Sequence, residues 1–323
     1  MDEKKRQEAP VLALVIPCYN ETDALPLTLP ELLGLYDRMT AAGEIDSRSY
    51  ILCVDDGSRD ATWALIREFH RRDPRVRGID LAHNRGHQYA LLAGLMEVKG
   101  HCDACISIDA DLQDSPEAIV EMVKLFREGK EIVYGVRSSR RTDTLFKRAT
   151  AHAFYSLQHA MGLETVYDHA DYRLMSERAL ELLSEYGERN IFLRGIVPQI
   201  GLQTGIVYYE RNARVAGESK YPLSKMLALS VDGITSFSAR PMRWIFFLGL
   251  AIFLLTLGVA IYVLVSYFFD TQIMRGWASL MLSVWFLGSL ILMSIGIVGE
   301  YVGKIFVEVK GRPRYALRDK IGM

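Results

Sequence analysis

The 323-residue chain is 50% hydrophobic and carries a formal net charge of −1. Its length allows one large domain or two smaller ones, and its near-neutral charge does not indicate nucleic-acid binding. Its four cysteines fit a reducing compartment.

The first ten residues, MDEKKRQEAP, are charged and contain no apolar run, so we expect a tail and no signal peptide there. Strand and helix patterns then alternate. The strand patterns are VLALVIPCYN, YILCVDDGS, VRGIDLAH, CISIDADLQD and IVYGVR, with helical stretches between them. This alternation predicts βαβ units in a Rossmann-like α/β domain with a mostly parallel sheet, which we place at residues 11–220.

The edge at which the predicted strands end is rich in acids and amides. Ligand crevices of open α/β sheets lie at this edge. A glycine-rich dinucleotide loop and a P-loop are both absent, so the chain is neither a standard dinucleotide binder nor a Walker NTPase. The polar groups at this edge are Asn20–Glu21, Asp55–Asp56, Asn84–Gly86 and Asp109–Asp111.

Three carboxylates, Asp109, Asp111 and Asp114, lie within six residues at the end of the fourth strand. Carboxylates this close repel one another, so either solvent or a positive group must compensate them. Asp109 and Asp111 flank one alanine, and in an extended segment both side chains point to the same side. An anionic nucleotide bound beside them would need a divalent cation as a bridge.

The remaining residues of metal-ligand type lack metal-site spacing. Cys102 and Cys105 form a CxxC without a second ligand pair, so we do not expect a zinc site. Apolar strand-like runs contain Cys18, Cys53 and Cys105, where we expect buried thiols. Six histidines form no metal-spaced set with a carboxylate, and we expect them to be structural: His83, His87, His101, His152, His159 and His169.

Two uncharged apolar runs, 244–269 and 276–299, follow the large domain. Each exceeds the ~20 residues that cross a bilayer core. The short link DTQIMR between them predicts a hairpin, so we place two membrane helices within 243–301. Arg240 and Arg243 precede the hairpin and six basic residues follow it, whereas the link holds only Arg275. The positive-inside rule therefore predicts that the large domain and both termini are cytoplasmic, with 302–323 as a C-terminal tail.

Two amphipathic stretches have basic residues near their starts. Residues 221–239, within a juxtamembrane segment at 221–242, lead into the first run, and we favour a helix in the membrane interface. Residues 145–161 fit an interfacial or a core-facing helix equally well. Arg137, Arg140 and Arg141 fit either a solvated face or the entrance for an acceptor.

Several motifs resemble those of family 2 glycosyltransferases with a GT-A fold: VIPCYNE (15–21), VDDGS (54–58), NRGHQYALLAG (84–94) and DADLQDSPE (109–117). Later motifs resemble the polyisoprenyl-phosphate glycosyltransferases, in particular the bactoprenol glucosyltransferases, with dolichol-phosphate mannose synthases as more distant relatives. These are DHADYRLMS (168–176), FLRG (192–195), RVAGESKYPLSKM (214–226), DGITSFSARP (232–241) and GEYVGKIFVEVKGRPRY (299–315).

The resemblance implies inverting transfer of a hexose, with glucose from UDP-glucose as the first expectation, to polyprenyl (undecaprenyl) phosphate. The reaction would take place at the cytoplasmic membrane face and serve cell-envelope glycans or glycoproteins. Mannosyl, N-acetylhexosaminyl and modified-pentose transfer remain open alternatives, as does a non-catalytic nucleotide-sugar-binding scaffold. The family also implies Mg²⁺ or Mn²⁺, contact with the lipid bilayer and a homo-oligomer, by resemblance a tetramer.

The resemblance also assigns site residues. Asp171 and Arg194 are the catalytic candidates, with Asp171 matching the proposed base, and Asp109 and Asp111 are the metal ligands. Lys220 and Arg173 would meet the acceptor phosphate. The residues implied at the nucleotide sugar are Pro17, Tyr19, Glu21, Asp55, Asp109, Gln113 and Arg211.

Two departures from the family pattern bear on donor recognition. Arg85 stands where relatives often have Phe, and the IVPQIG segment after FLRG lacks a common Trp, so the sugar stays open. The QxxRW motif of processive synthases is missing.

A phosphate monoester is largely a dianion at pH 7, since its second pKa is about 6. The need for a base is therefore small, and Asp171 can equally act by positioning the acceptor.

Overall fold

The structure is a computed structural model that describes residues 9–137, 169–210 and 277–323, with isolated helical positions between 245 and 261. The amphipathic stretches 145–161 and 221–239 and the site candidates Arg211 and Lys220 lie outside the described residues. The chain divides into two compact units. The described residues up to Glu210 and Arg312–Met323 belong to the first, and those from Ile245 to Gly311 belong to the second.

The first unit is an α/β domain. Its strands are β1 (Leu12–Cys18), β2 (Tyr50–Asp55), β3 (Val76–Leu81), β4 (Ala104–Ser107), β5 (Ile132–Arg137), β6 (His169–Ser176), β7 (Thr204–Tyr209) and β8 (Leu317–Ile321). Its helices are α1 (Leu25–Ala41), α2 (Thr62–Arg72), α3 (His87–Val98), α4 (Ala118–Arg127), α5 (Glu177–Glu185) and α6 (Leu193–Gln199).

The eight strands form one sheet in the order β7-β5-β6-β4-β1-β2-β3-β8. The strands β4, β1, β2 and β3 are parallel neighbours, as the helical crossovers between them require. However, β6 runs antiparallel between β4 and β5, and β8 runs antiparallel along β3. The sheet is therefore mixed, and the prediction of a mostly parallel sheet describes its N-terminal half.

The core lies on both faces of the central strands. Every residue of β2 and β4 is buried, as strands covered on both faces require. Leu25, Leu29 and Leu32 on one side of α1 are fully buried, and each contributes about 1.5–3 kcal/mol relative to an exposed position. The four cysteines are free and buried, which includes the three for which burial is predicted.

Gly94 in α3 provides a stability test of this packing. A Cβ at Gly94 would lie 2.4 Å from Cγ1 of Val15 and 2.7 Å from Cγ2 of Val54. We expect Gly94→Ala to lower the free energy of unfolding by about 1–3 kcal/mol through overpacking, measured by thermal or denaturant unfolding. The matched control is Gly34→Ala in α1, where the nearest atom would be Nη1 of Arg38 at 3.9 Å. Equal stability of the two variants would contradict this account.

The second unit contains helix α7 (Trp277–Lys310). Its stretch Phe286–Lys310 is long and apolar enough to cross a membrane. The helix begins near the predicted start of the second run and continues to Lys310, past the predicted end at 299. The first run, 244–269, lies mostly outside the described residues, so the hairpin remains a prediction.

The C-terminal residues differ from the expected tail. Residues 302–310 complete α7, and β8 pairs with β3 in a register that places Ile321 opposite Gly78 and Asp319 opposite Asp80. The amide of Ala82 extends this pairing by donating to the carbonyl of Ala316 at 2.9 Å. The physical reason is that β3 would otherwise be a sheet edge with unpaired backbone groups. The last residues therefore belong to the α/β domain.

Candidate active site

The candidate site lies at the sheet edge where β1, β2 and β4 end. Cys18 pairs with Asp55 across the parallel strands β1 and β2, and Ser107 pairs with Arg173 across the antiparallel strands β4 and β6. Because β6 runs in the opposite direction, its first residues lie beyond the end of β4. Asp171 is thereby brought to the segment that contains Asp109.

Asp171 is the centre of a hydrogen-bonded cluster, and its side chain is 8% exposed. Arg173 binds its Oδ1, and Nη2 of Arg194 lies 3.1 Å from its Oδ2. Gln88 donates from Nε2 to the same Oδ2 at 3.2 Å. The hydroxyl of Ser107 donates to the backbone carbonyl of Asp171. The carboxylate is therefore held from three sides.

The electrostatics of this cluster keep Asp171 ionised. Burial alone would raise the pKa of Asp171, but the neighbouring His87 and the charges of Arg173 and Arg194 hold that pKa well below its usual range. A carboxylate with a lowered pKa is a weak proton acceptor at neutral pH. The geometry thus favours positioning over general-base catalysis.

Arg173 is buried behind Asp171. It is 1% exposed, and its Nη1 donates to the carbonyl of Leu193 at 3.2 Å. Burial lowers the pKa of Arg173, while Asp171 opposes this shift. A side chain engaged in this way has no access to a lipid phosphate. We expect from the family resemblance that Arg173 contacts the acceptor phosphate. The structure instead favours a structural role, in which Arg173 holds Asp171 in place.

His87 lies between two of the candidate carboxylates. Its Nε2 is 3.6 Å from Oδ2 of Asp171 and 3.9 Å from Oδ1 of Asp109. Burial would lower the pKa of His87, but the two carboxylates reverse this and the net shift is upward. The sequence predicts a structural histidine here, and the structure places this histidine at the candidate site, beside two carboxylates. The sequence feature that could have placed His87 at the site is the position of NRGHQ, which follows β3 directly at the same sheet edge.

The loop before His87 is fixed by the second acid of the DDGS motif. Oδ1 of Asp56 accepts the backbone N–H of Arg85 at 2.7 Å, and Oδ2 accepts that of Gly86 at 2.8 Å. Gly57 has a φ of 63°, and a Cβ there would lie 2.7 Å from the amide nitrogen of Asn84. Asp56 and Gly57 therefore set the position from which His87 and Gln88 reach Asp171.

Gln88 connects three elements of the site, a role that the sequence does not reveal. While its Nε2 donates to Asp171, its Oε1 accepts the N–H of Leu193 at 3.0 Å. Leu193 is the first residue of α6, and Arg194 follows it. One amide side chain on α3 thus ties the carboxylate of β6 to the helix that provides Arg194.

We expect Gln88→Leu to lower kcat by about 10²-fold, because Asp171 and Arg194 lose their common support and such misplacement is costly. The apparent KM for the donor should change little, and steady-state kinetics measure both. The neighbouring Tyr89→Phe is the matched control, since that hydroxyl donates to the carbonyl of Arg189 and not to Asp171. Equal losses in both variants would argue against a specific role for Gln88.

The three clustered acids have different surroundings. Asp114 is buried and accepts hydrogen bonds from Nη2 of Arg137 at 3.0 Å and from the hydroxyl of Tyr209 at 2.7 Å. Arg137 is therefore an internal partner of Asp114. Asp109 is 45% exposed at its side chain, and partial burial together with neighbouring acids raises its pKa, while His87 opposes this.

Asp111 lies in a tight turn. Its Oδ1 accepts the N–H of Gln113 at 3.2 Å, and Leu112 between them has a φ of 50°. A bulky residue in the left-handed region is strained, and such strain is concentrated at functional loops. Gln113 itself is buried.

The donor set of this loop fits a cation that has further ligands. Among the residues the structure describes, no three His, Cys, Asp or Glu side chains group as a metal site. Asp109 and Asp111 nevertheless present two carboxylates at one mouth. Mg²⁺ is commonly held by one or two carboxylates together with substrate phosphates and water. The pair therefore fits an ion that a diphosphate helps to bind.

The candidates on the first two strands lie at the same edge. Pro17 is in β1, Tyr19 just beyond it is 41% exposed, and the amide of Glu21 donates to the hydroxyl of Thr62. Asp55 is fully buried at the end of β2, and one of its oxygens accepts hydrogen bonds from the amide and hydroxyl of Ser58. Within the described ranges, its other oxygen has no hydrogen-bond partner.

Comparisons with known proteins identify the family and several relatives of this chain. Residues 13–184 match the family described as glycosyl transferase family 2. The glycosyltransferase YkoT of Bacillus subtilis is 50% identical over 312 residues, which cover 97% of this chain and 92% of that protein. The bactoprenol glucosyl transferase of Shigella phage SfX is 35% identical over 311 residues, which cover 96% and 99% of the two chains.

A solved structure with a similar fold is glucosyl-3-phosphoglycerate synthase from Mycobacterium tuberculosis in complex with Mn²⁺, UDP and phosphoglyceric acid. It is 19% identical, with a TM-score of 0.46, and covers 72% of this chain and 79% of that one.

Proposed function

We propose, from the premise that this chain belongs to glycosyl transferase family 2, that it transfers a sugar from a nucleotide donor to the phosphate of a membrane polyprenol. The predicted family resemblance is confirmed, and relatives that match over nearly the whole chain include bactoprenol glucosyl transferases. Glucose from UDP-glucose, transferred at the cytoplasmic membrane face, is the finer proposal. Mannosyl, N-acetylhexosaminyl and modified-pentose transfer are the alternatives.

The observation that best supports this proposal is the cluster around Asp171. A buried, ionised carboxylate is held by two arginines beside a second group of acids, at the edge of the sheet where ligands bind. Arg194 is 43% exposed at its side chain and is therefore the arginine that a bound anion can reach. Such an arrangement suits a reaction between two phosphate-bearing substrates, where cations must offset repulsion.

We assign the donor to the ends of β1, β2 and β4. Asp55 would accept an N–H of the nucleobase through its free oxygen, and Pro17, Tyr19, Glu21 and Gln113 would line the nucleoside. Arg211 remains assigned to the donor by family resemblance. A divalent cation held by Asp109 and Asp111 would offset the negative charge that develops on the leaving diphosphate.

We assign the acceptor to the side of the site formed by Asp171 and Arg194. Asp171 would orient the acceptor phosphate through Arg194, and Arg173 would fix Asp171 from behind. Lys220 remains a proposed phosphate ligand. The acceptor's long chain requires a membrane surface, which fits an apolar helix such as α7 in the same chain.

The test is to incubate the full-length protein in bilayers with polyprenyl phosphate and a panel of UDP- and GDP-sugars. We expect one donor to give a polyprenyl-phosphate sugar, which the Asp171→Asn variant should form about 10²-fold more slowly. Binding of a nucleotide sugar without transfer to any lipid phosphate would instead support the scaffold alternative. The intact acids of the DDGS and DAD motifs argue against that alternative.

A further inference from the structure

The C-terminal strand β8 is fastened to the α/β domain by several side chains. Arg314 donates to the carbonyl of Tyr186, and Nζ of Lys320 contacts Oε1 of Glu97 at 2.5 Å. Nε of Arg318 lies 2.6 Å from Oδ2 of Asp80. The segment that follows α7 is therefore attached to the domain beside β3.

Asp80 lies next to the proposed nucleobase acceptor. Asp55 and Asp80 are paired residues on the parallel strands β2 and β3, so both side chains lie on the same face of the sheet. Asp55 is fully buried and Asp80 is 1% exposed. Two buried carboxylates this close destabilise each other's ionised form. Burial raises the pKa of Asp55, and Asp80 adds to that shift.

Arg318 is the group that compensates this crowding. Its side chain is 55% exposed, so it covers a buried acid from the solvent side without being buried itself. Its guanidinium neutralises the negative charge of Asp80. In the part of the chain that is described, Oδ2 of Asp55 and Oδ1 of Asp80 are buried and accept no hydrogen bond. Each oxygen thus lacks a hydrogen-bond donor among the described residues.

We propose that Arg318 is a positioning residue of the donor site: by neutralising Asp80 it keeps the neighbouring Asp55 ionised and oriented for the N–H of a nucleobase. This inference rests on the proposed function, since it requires that Asp55 binds the donor. Without Arg318, the uncompensated charge of Asp80 would favour the protonated form of Asp55, or one of the two side chains would turn away. In either case Asp55 would lose the acceptor that the nucleobase needs.

The test measures nucleoside diphosphate binding to the full-length protein in nanodiscs by calorimetry, using UDP and GDP. We expect Arg318→Ala to weaken binding of the preferred nucleotide by about tenfold or more, because a buried carboxylate is left without its cation. In turnover, the donor KM should rise while kcat changes less. Lys320→Ala is the matched control on the same strand, since its partner Glu97 lies outside the site, and it should bind like wild type.

The double variant Arg318→Ala with Asp80→Asn separates charge from strand docking. If Arg318 acts by neutralising Asp80, removing the carboxylate should restore binding to about threefold of wild type or better. If Arg318 only docks the strand, the double variant should bind as weakly as Arg318→Ala, and the proposal is wrong. Wild-type binding by Arg318→Ala would also overturn it.

Two further results complete the test. If Arg318→Ala does not fold, Arg318→Gln replaces it, since it keeps a hydrogen-bond donor for Asp80 but removes the charge: weakened binding supports the proposal and wild-type binding overturns it. If the wild-type protein itself binds neither UDP nor GDP, the donor assignment of the proposed function fails. That result is distinct from a failure of Arg318 alone.

Discussion

Asp171→Asn is expected to lower kcat by about 10²-fold or more, with the affinity for the donor nearly unchanged. The substitution keeps the size of the side chain but removes the charge that Arg173 and Arg194 bind. An amide also has only one acceptor oxygen, whereas Asp171 uses both oxygens in its hydrogen bonds. The two arginines would then repel each other without a carboxylate between them, and Arg194 would leave its position.

The pH dependence separates positioning from general-base catalysis. The acceptor phosphate becomes a dianion above its second pKa of about 6. If Asp171 were a base for the monoanion, the ratio of wild-type to mutant rates would shrink as the pH rises through that value. If Asp171 positions the acceptor, both enzymes gain activity in parallel, and their ratio stays constant up to about pH 8.5. We expect the constant ratio.

A difference in stability between wild type and Asp171→Asn does not affect the pH dependence of their rate ratio. Because the pKa of Asp171 is lowered in the folded protein, its ionised form stabilises the fold above the pKa of an unfolded aspartate. That contribution is lost only as the pH falls through the folded value, which lies well below neutrality. Any stability deficit of Asp171→Asn is therefore constant over the range of the assay, and a changing rate ratio would report on catalysis alone.

Asp103→Asn provides the control for the same chemical change. Oδ2 of Asp103 accepts the N–H of Val11 at 2.9 Å, directly before β4 at the opposite edge of the sheet. It should lose little activity at any pH. A rate ratio for Asp171→Asn that approaches one above the phosphate pKa would show that Asp171 is a true base, and the positioning account would be wrong.

The N-terminal half of the fold is predictable because its signals are local. The strands β1 to β4 are short apolar runs, each followed by a helical pattern, and crossovers of this kind give parallel neighbours. The acids of the site follow from the same logic, since strands that are parallel end at one edge. Asp55 and Asp109 could thus be assigned to one crevice from their positions after strands.

The rest of the fold depends on pairings between distant residues. The strand β8 pairs Ile321 with Gly78, and no local pattern in LRDKI specifies that partner. The antiparallel insertion of β6 likewise has no local signal. It is this strand that brings Asp171 to Gln88, 83 residues away. The positions of His87, Gln88 and Arg173 at the site depend on this contact between β6 and α3. From the sequence alone, His87 is predicted to be structural and Arg173 to bind the acceptor phosphate.

Activity is also expected to require a divalent cation, and Asp111→Asn should reduce it by about 10²–10³-fold, as removal of one stabilising group at developing charge does. Negative charge is concentrated at this mouth among the described residues. Asp114 has Arg137, and Asp109 faces His87 at 3.9 Å, but Asp171 also lies within contact of that histidine. A diphosphate would meet repulsion from these acids unless a cation lay between them.

The same substitution should not harm the fold. Asp111 lies between Asp109 and Asp114, so replacing its carboxylate by an amide lowers the local negative charge and should leave the free energy of unfolding unchanged or slightly higher. In Asp111→Asn, the side-chain oxygen of the asparagine can still accept the backbone N–H of Gln113. If Asp111 binds a ligand, the substitution should lower activity strongly without lowering stability. If Asp111 is structural, the substitution should lower stability.

Two measurements together test this prediction. Transfer activity is titrated with Mg²⁺ or Mn²⁺ after chelation, and nucleotide binding is followed by calorimetry with and without the ion. In Asp111→Asn the ion should no longer strengthen nucleotide binding, whereas Asp37→Asn, an exposed acid of α1 that pairs with Arg75, should behave like wild type. Full turnover in excess EDTA would show that no ion is needed. A cationic side chain that contacts the substrates would then have to offset the negative charge of these acids. Arg194 is the first candidate, because its half-exposed guanidinium already lies beside them.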